Sequence, residues 1–142
     1  MPYPSYARMT RDDVAAVYAW LRAEVKPVAQ TNRDAQMRWP YSMRWLMVPW
    51  NLLHLEEGPI PASADRGAAW NRGAYLVQAV AHCGACHTPR GTLFGEKGTD
   101  TRSRDFLSGA TVEGWSATNL TGDMLTGLGA WSLAEIVEYL HT

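Results

Sequence analysis

The sequence of 142 residues lacks the hallmarks of several common classes of protein. Its two cysteines both lie in one short motif, so no disulfide framework remains. It has no run of about 20 apolar residues, so no transmembrane helix is predicted. The formal net charge is −1 and there is no basic stripe, which argues against a nucleic-acid partner. Residues 1–4 show neither the charged nor the apolar region of a secretory signal.

The composition is that of a folded protein, with 46% hydrophobic and 19% charged residues. The length is enough for one small domain or for parts of two. The sequence offers no nucleophile with a matching acid–base pair, so no catalytic residue is predicted.

The motif that holds both cysteines is Cys83-Gly84-Ala85-Cys86-His87. A C-x-x-C-H run is typical of covalent c-type haem attachment. Each thiol can form a thioether with a haem vinyl group, and His87 can ligate the iron as its proximal ligand. The motif therefore predicts haem c as the cofactor and one-electron transfer as the task.

Three other interpretations of the motif remain open. A C-x-x-C pair also marks metal-free redox dithiols, although these occur in a βαβ context that is not visible here. Structural zinc needs four ligands, and neither His54 nor His141 belongs to an H-x-x-x-H pair. Two buried thiols beside a chance histidine form the third alternative.

Helical patterns flank the motif. A helix is predicted to begin after an N-cap at Thr10, with Asp13 at its third position, and to end before Pro27. A second helix is predicted to begin near Ser63 or Asp65 and to run into the cysteine motif.

The second half of the chain is rich in glycine. Residues 91–129 are predicted to form long irregular loops, which a haem could stabilise by supplying the core around which they fold. A last helix is predicted after residue 131, because Ser132 and Glu135 can form a capping box.

An aromatic-rich segment, residues 39–54, lies between these regions. Five of its apolar residues could share one helical face, with Pro49 kinking or breaking the helix: Met43, Leu46, Met47, Trp50 and Leu53. The segment either packs in the core or docks on a partner subunit or a membrane surface.

Several stretches together resemble a known family. Residues 70–76, 82–90, 119–121 and 126–132 are similar to the second cytochrome c module of the multi-haem cytochrome c subunit of bacterial membrane-bound alcohol, aldehyde and gluconate-type dehydrogenases. Residues 1–6 with the Thr10 helix resemble the end of its first module, and residues 44–51 resemble its inter-module segment. The resemblance implies a mostly α fold, class I cytochrome c-like, with helices and long irregular loops around a covalently bound haem.

The same resemblance implies a domain organisation and a function. Residues 1–26 would end one module, residues 27–65 would form a linker, and residues 66–142 would form a second module that is incomplete. The chain would be a fragment of a subunit that passes electrons from a quinoprotein or flavoprotein dehydrogenase subunit to ubiquinone. That subunit lies on the periplasmic side of the cytoplasmic membrane, associated with the membrane surface. The alternative is a stand-alone soluble c-type cytochrome.

Further residue roles follow as hypotheses. By resemblance, Met1 would be the distal ligand of the preceding module's haem. The backbone carbonyl of Pro89 would accept the second ring N–H of His87. Arg90 would either pair with a haem propionate or remain a solvent-exposed charge. Met124 is expected at the surface or in packing, which leaves the second haem's distal ligand outside this chain.

Overall fold

The computed structural model describes residues 3–34 and 36–141, so the role predicted for Met1 lies outside the described residues. The described chain is mostly helical, with long loops in its second half, and the predicted fold class is confirmed. The helices are α1 (Tyr3–Tyr6), α2 (Arg11–Glu24), α3 (Met47–His54), α4 (Ala68–Tyr75), α5 (Gly84–His87) and α6 (Leu133–His141).

Helix α2 begins where the sequence predicts. The Thr10 hydroxyl accepts a hydrogen bond from the Asp13 backbone N–H at 3.2 Å, which satisfies one of the free donors of the first turn. The helix ends at Glu24, and none of its side chains is buried in the described structure. Capping at Thr10 therefore accounts for the start of the helix, since burial does not.

The aromatic-rich segment forms a short 3₁₀ turn, Arg44–Leu46, that leads directly into α3. Pro49 neither breaks nor ends this helix. Because α3 begins at Met47, Pro49 lies in the first turn, where a backbone N–H has no intrahelical partner to lose. The predicted shared face is only partly confirmed, because Met47 and Leu53 are exposed whereas Trp50 is half-buried.

The second predicted helix begins later than expected, at Ala68. The Asn71 side chain accepts from the Ser63 N–H at 2.7 Å and donates to the Ser63 carbonyl at 3.1 Å, which holds residues 63–67 in a turn. After Tyr75 the helix widens into a π turn, Leu76–Val80. His82 then adopts a φ of 44°, and this left-handed residue separates the π turn from α5.

Residues 110–117 form a β-hairpin that the loop prediction missed. Strand β1 (Ala110–Val112) pairs with strand β2 (Trp115–Ala117) in antiparallel register, with Val112 opposite Trp115. The two connecting residues, Glu113 and Gly114, both have positive φ, which is the geometry of a tight hairpin turn. Helix α6 has the predicted capping box: Ser132 N–H donates to Glu135 at 2.7 Å, and Ser132 Oγ accepts from Glu135 N–H at 3.3 Å.

Tyr75 connects the start of α2 to the helices that precede the cysteine motif. Its hydroxyl donates to the Asp13 carboxylate at 2.5 Å and accepts from the Thr10 N–H at 3.1 Å. Tyr75 is buried, as are Ala79, Phe106 and Thr88, and this small core lies around the motif. No helix in residues 3–34 and 36–141 combines the length and apolar character needed to cross a membrane.

Candidate functional site

Helix α5 brings the three predicted site residues onto a single helical turn. Cys83 precedes the helix, and its carbonyl accepts from the His87 N–H at 2.9 Å. Cys86 and His87 stand three and four residues after Cys83, the spacing that puts side chains on one face of a helix. Both thiols are free, with Cys86 exposed and Cys83 half-buried. One turn of backbone therefore carries two thiols and an imidazole.

Burial sets the ionisation of the first thiol. Burial raises the pKa of the Cys83 thiol, and the neighbouring Cys86 acts in the same direction. Cys83 therefore stays protonated at neutral pH, which is unlike the lowered thiol pKa of most redox-active C-x-x-C pairs.

The orientation of the His87 ring is set by a backbone carbonyl. Nδ1 of His87 lies 2.7 Å from the Thr118 carbonyl oxygen. Because a carbonyl can only accept, Nδ1 must carry the hydrogen, and in the neutral ring Nε2 is then the nitrogen with a free lone pair. This is the tautomer that a metal-ligating histidine needs.

Hydrogen bonds between the motif and the hairpin region hold Thr118 in place. The fully buried Thr88 accepts from the Leu107 N–H at 3.0 Å through its hydroxyl. Gly109 N–H donates to the His87 carbonyl at 2.8 Å, and Leu120 N–H donates to the Leu107 carbonyl at 2.8 Å. These contacts lie on both sides of Thr118 in the chain, so they fix its carbonyl relative to the imidazole.

The role predicted for Pro89 is wrong in this structure. Its carbonyl accepts from the Lys97 N–H at 2.9 Å, whereas the carbonyl of Thr118 accepts from His87. The pairing of Arg90 with Glu96 as an isolated β-bridge keeps residues 89–97 bonded to each other. The Pro89 carbonyl is consequently used within that loop.

Arg90 is not a free surface charge, because its guanidinium is bonded within the protein. Its guanidinium donates to the carbonyls of Ala85 at 2.5 Å and Phe94 at 3.2 Å, and it lies 3.6 Å from the Glu96 carboxylate. Burial raises the pKa of Glu96, and electrostatic interaction with the Arg90 guanidinium partly opposes that shift. Arg90 therefore links α5 to the following loop, and its pairing with a haem propionate stays a prediction.

The Gly-rich loop that follows the hairpin is built on close backbone approach. Leu128 N–H donates to the Thr121 carbonyl at 2.8 Å, and Gly129 N–H donates to the Asp123 carbonyl at 3.1 Å. A Cβ added at Gly129 would lie 2.3 Å from the Gly122 carbonyl oxygen, whereas one added at Gly122 would meet nothing within 4 Å. Of these two positions, only 129 requires glycine for steric reasons.

We expect Gly129→Ala to lower the free energy of unfolding by about 1–3 kcal/mol, because the new methyl group must displace backbone rather than a flexible side chain. Gly122→Ala is the matched control, expected to change stability by less than about 0.5 kcal/mol. Chemical denaturation followed by circular dichroism measures both. Equal losses in the two variants would contradict the predicted backbone crowding.

Met124 is 65% exposed, as expected for a surface methionine. Trp115 lies on β2 and is 83% exposed. Trp131 is partly exposed and contacts the Tyr139 ring edge-on at 5.9 Å.

The residues present fit a covalently attached haem. The donor set consists of two free thiols and an imidazole on one turn, with Nδ1 of His87 already bonded to Thr118 and Nε2 available. A structural zinc ion fits less well, because it needs four ligands and the motif offers two thiols and one imidazole.

Sequence reasoning missed Thr88 and Thr118. The contribution of Thr118 is a backbone carbonyl, which every residue has, so no side-chain pattern identifies it. Thr88 gave a weak signal, since it directly follows the motif and its hydroxyl can serve as an acceptor there.

Comparison with curated proteins gives consistent results, although no family model matches. The chain is 42% identical to the gluconate 2-dehydrogenase cytochrome c subunit of Pantoea cypripedii, over 99% of the chain and 33% of that protein. It is 43% identical to the alcohol dehydrogenase (quinone) cytochrome c subunit of Gluconacetobacter polyoxogenes, over 100% of the chain and 31% of that protein. The fructose dehydrogenase cytochrome subunit of Gluconobacter japonicus is 38% identical, over 100% of the chain and 28% of that protein.

The chain spans about a third of the length of these relatives. The resemblance predicted from the sequence is thus confirmed: over its whole length the chain is similar to part of the cytochrome c subunits of bacterial alcohol, gluconate and fructose dehydrogenases.

Proposed function

We propose that this chain transfers electrons through a haem c bound covalently by Cys83 and Cys86 and ligated by His87. The observation that carries the proposal is the hydrogen bond between His87 Nδ1 and the Thr118 carbonyl, which leaves Nε2 available on the turn that also carries two free thiols. When bound, the haem supplies a one-electron redox centre.

The chain's own groups have distinct tasks in this proposal. The two thiols would tether the haem, and their fixed spacing, with Cys83 directly before α5 and Cys86 within it, would set its position relative to His87. The Thr118 carbonyl holds the imidazole plane and strengthens Nε2 as a ligand, because a hydrogen bond from the far ring nitrogen increases electron density on the ring. Arg90 and Thr88 keep α5 fixed against its neighbouring loops.

We further propose a place for the chain in an electron-transfer assembly. Relatives named as cytochrome c subunits of alcohol, gluconate and fructose dehydrogenases support a quinoprotein or flavoprotein dehydrogenase subunit as the electron donor. Ubiquinone is the proposed acceptor, and the periplasmic surface of the cytoplasmic membrane is the proposed location. In this assignment residues 1–26 end a preceding module, residues 27–65 link two modules, and residues 66–142 form part of a second.

The proposed function is tested by following the haem spectrum of the exported, haem-loaded chain under anaerobic conditions. Adding the purified catalytic subunit of a quinone-dependent alcohol dehydrogenase, with its alcohol, is expected to reduce the haem. Vesicles containing ubiquinone are then expected to reoxidise it. The matched control omits the alcohol. A haem that stays oxidised, while the same catalytic subunit reduces an artificial dye, would contradict the proposed donor.

A further inference from the structure

The helical segment 44–54 exposes an apolar face where a surface helix normally shows polar residues. Trp45, Val48 and Leu52 follow one another at spacings of three and four residues, so they lie on one face. They are 64%, 63% and 84% exposed. No described residue covers this face. Three large apolar side chains side by side form a contiguous patch, unlike the single exposed apolar residues that are normal on protein surfaces.

The opposite face of the same segment is held by the protein. The Trp50 ring packs against the rings of Tyr3 and His54, with centroids 6.1 Å and 5.0 Å away. Its indole N–H donates to the Leu93 carbonyl at 2.7 Å. Tyr3 also donates to the Asn51 side chain at 2.5 Å. These contacts anchor α3, so the exposed face is presented in a fixed direction.

Other exposed apolar rings extend this face. Tyr41 contacts Phe94 edge-on at 5.9 Å, and Phe94 directly follows the Leu93 carbonyl that Trp50 binds. The aromatic surface, as we name it, consists of six side chains that are each at least 61% exposed: Trp39, Tyr41, Trp45, Val48, Leu52 and Phe94.

Positive charge is concentrated beside the aromatic surface. Residues 26–54 contain four basic side chains and one acidic side chain, in a chain whose formal net charge is −1. Arg33, Arg38 and Arg44 are exposed, and none of them forms a salt bridge within the described part of the chain. The apolar face and the excess positive charge therefore occur in the same segment.

We propose that the aromatic surface binds the interface of a bilayer containing anionic lipid. Trp and Tyr rings favour the level of the lipid headgroups, and arginines beside them attract anionic headgroups. A protein partner would also accept exposed Trp and Tyr, but the local excess of positive charge complements an anionic lipid surface. The inference rests on the proposed function, because ubiquinone resides in the membrane.

The geometry sets how the segment lies on the bilayer. Eleven helical residues span about 16 Å, roughly half the thickness of the hydrocarbon core, so the segment can only lie in the plane of the interface. Its anchored face, with Trp50 and His54, then points toward the protein, and Trp45 and Leu52 insert between the headgroups.

The test is sedimentation of the full haem-loaded chain with vesicles of phosphatidylglycerol and phosphatidylcholine, compared with vesicles of phosphatidylcholine alone. We expect binding to the anionic vesicles that weakens about tenfold in Leu52→Ser and further in Trp45→Ser/Leu52→Ser. Arg38→Gln/Arg44→Gln is expected to weaken it about fivefold per arginine. Leu125→Ser, at a side chain 95% exposed elsewhere, and Arg11→Gln/Arg22→Gln on α2 are matched controls expected to bind as the unaltered chain does.

The outcomes separate this inference from the proposed function. Equal binding to both kinds of vesicle, or a loss in Leu125→Ser as large as in Leu52→Ser, would overturn the lipid surface. Loss of binding to the dehydrogenase catalytic subunit in Trp45→Ser/Leu52→Ser, with vesicle binding unchanged, would also overturn it and identify a protein-docking face. Covalent haem, measured in every sample, reports on the proposed function independently.

Discussion

Replacing both Cys83 and Cys86 by alanine is expected to abolish covalently bound haem in the exported chain. These residues are the only cysteines in the sequence, so no other thiol can form a thioether. The expected change is complete loss of the haem absorbance that survives acid–acetone extraction. Single substitutions leave one thiol on α5 and are expected to lower the yield and to shift the absorbance, because one vinyl group stays unreacted.

The double variant retains a check on folding that does not depend on haem. Circular dichroism of the exported Cys83→Ala/Cys86→Ala chain, compared with the unaltered chain expressed without haem-attachment machinery, shows whether the substitutions themselves unfold α5. Covalent haem on the double variant would contradict the assignment of the site.

Replacing His87 by asparagine is expected to reduce haem loading and change the haem spectrum, an effect second only to loss of both cysteines. Asparagine lacks the imidazole that reaches the iron, so the absorbance of an imidazole-ligated haem should disappear and the yield of loaded protein should fall tenfold or more. Added imidazole is expected to restore part of the original spectrum by occupying the open position on the iron. Absorbance spectroscopy at a fixed protein concentration measures both changes.

His82→Asn is the matched control for this prediction. His82 immediately precedes Cys83, but its ring contacts the Tyr6 ring edge-on at 5.3 Å. Its backbone φ of 44° is one that asparagine adopts readily, so the substitution leaves the entry to α5 unstrained. If the haem spectrum changed in His82→Asn and stayed unchanged in His87→Asn, the ligand would be His82 and the assignment of His87 would be wrong.

Local chemistry made the ends of some helices predictable. Thr10 and the Ser132–Glu135 pair satisfy backbone donors within three residues of themselves, so their effect is already visible in the sequence. The cysteine motif is equally local, because one helical turn contains all of its functional atoms. The two caps therefore agree between sequence and structure, whereas haem attachment at the motif stays a prediction.

Contacts between distant residues were not predictable in the same way. Asn71 holds a turn at Ser63 from eight residues away, which delays α4 beyond the start that the sequence favours. His87 binds a carbonyl 31 residues later, and nothing in the sequence separates Thr118 from its neighbours as the acceptor. The alternative acceptor, Pro89, is bonded to Lys97 instead, and that choice depends on the fold of a whole loop.

The hairpin shows an intermediate case. Thr111, Val112 and Trp115 have strand-forming side chains around a two-residue turn, but the strands are only three residues long and lie in a Gly-rich stretch. Such short strands have too little periodicity to be distinguished from loop. Their importance comes from Thr118, which directly follows β2 and reaches His87.

The most direct test of the central claim is tandem mass spectrometry of the tryptic peptide 73–90 from the exported chain. Cleavage after Arg72 and Arg90 isolates both cysteines and His87 in one peptide. We predict that this peptide carries the mass of one haem, with the modified positions at Cys83 and Cys86. An unmodified peptide, or one whose two cysteines are joined to each other, would contradict the account.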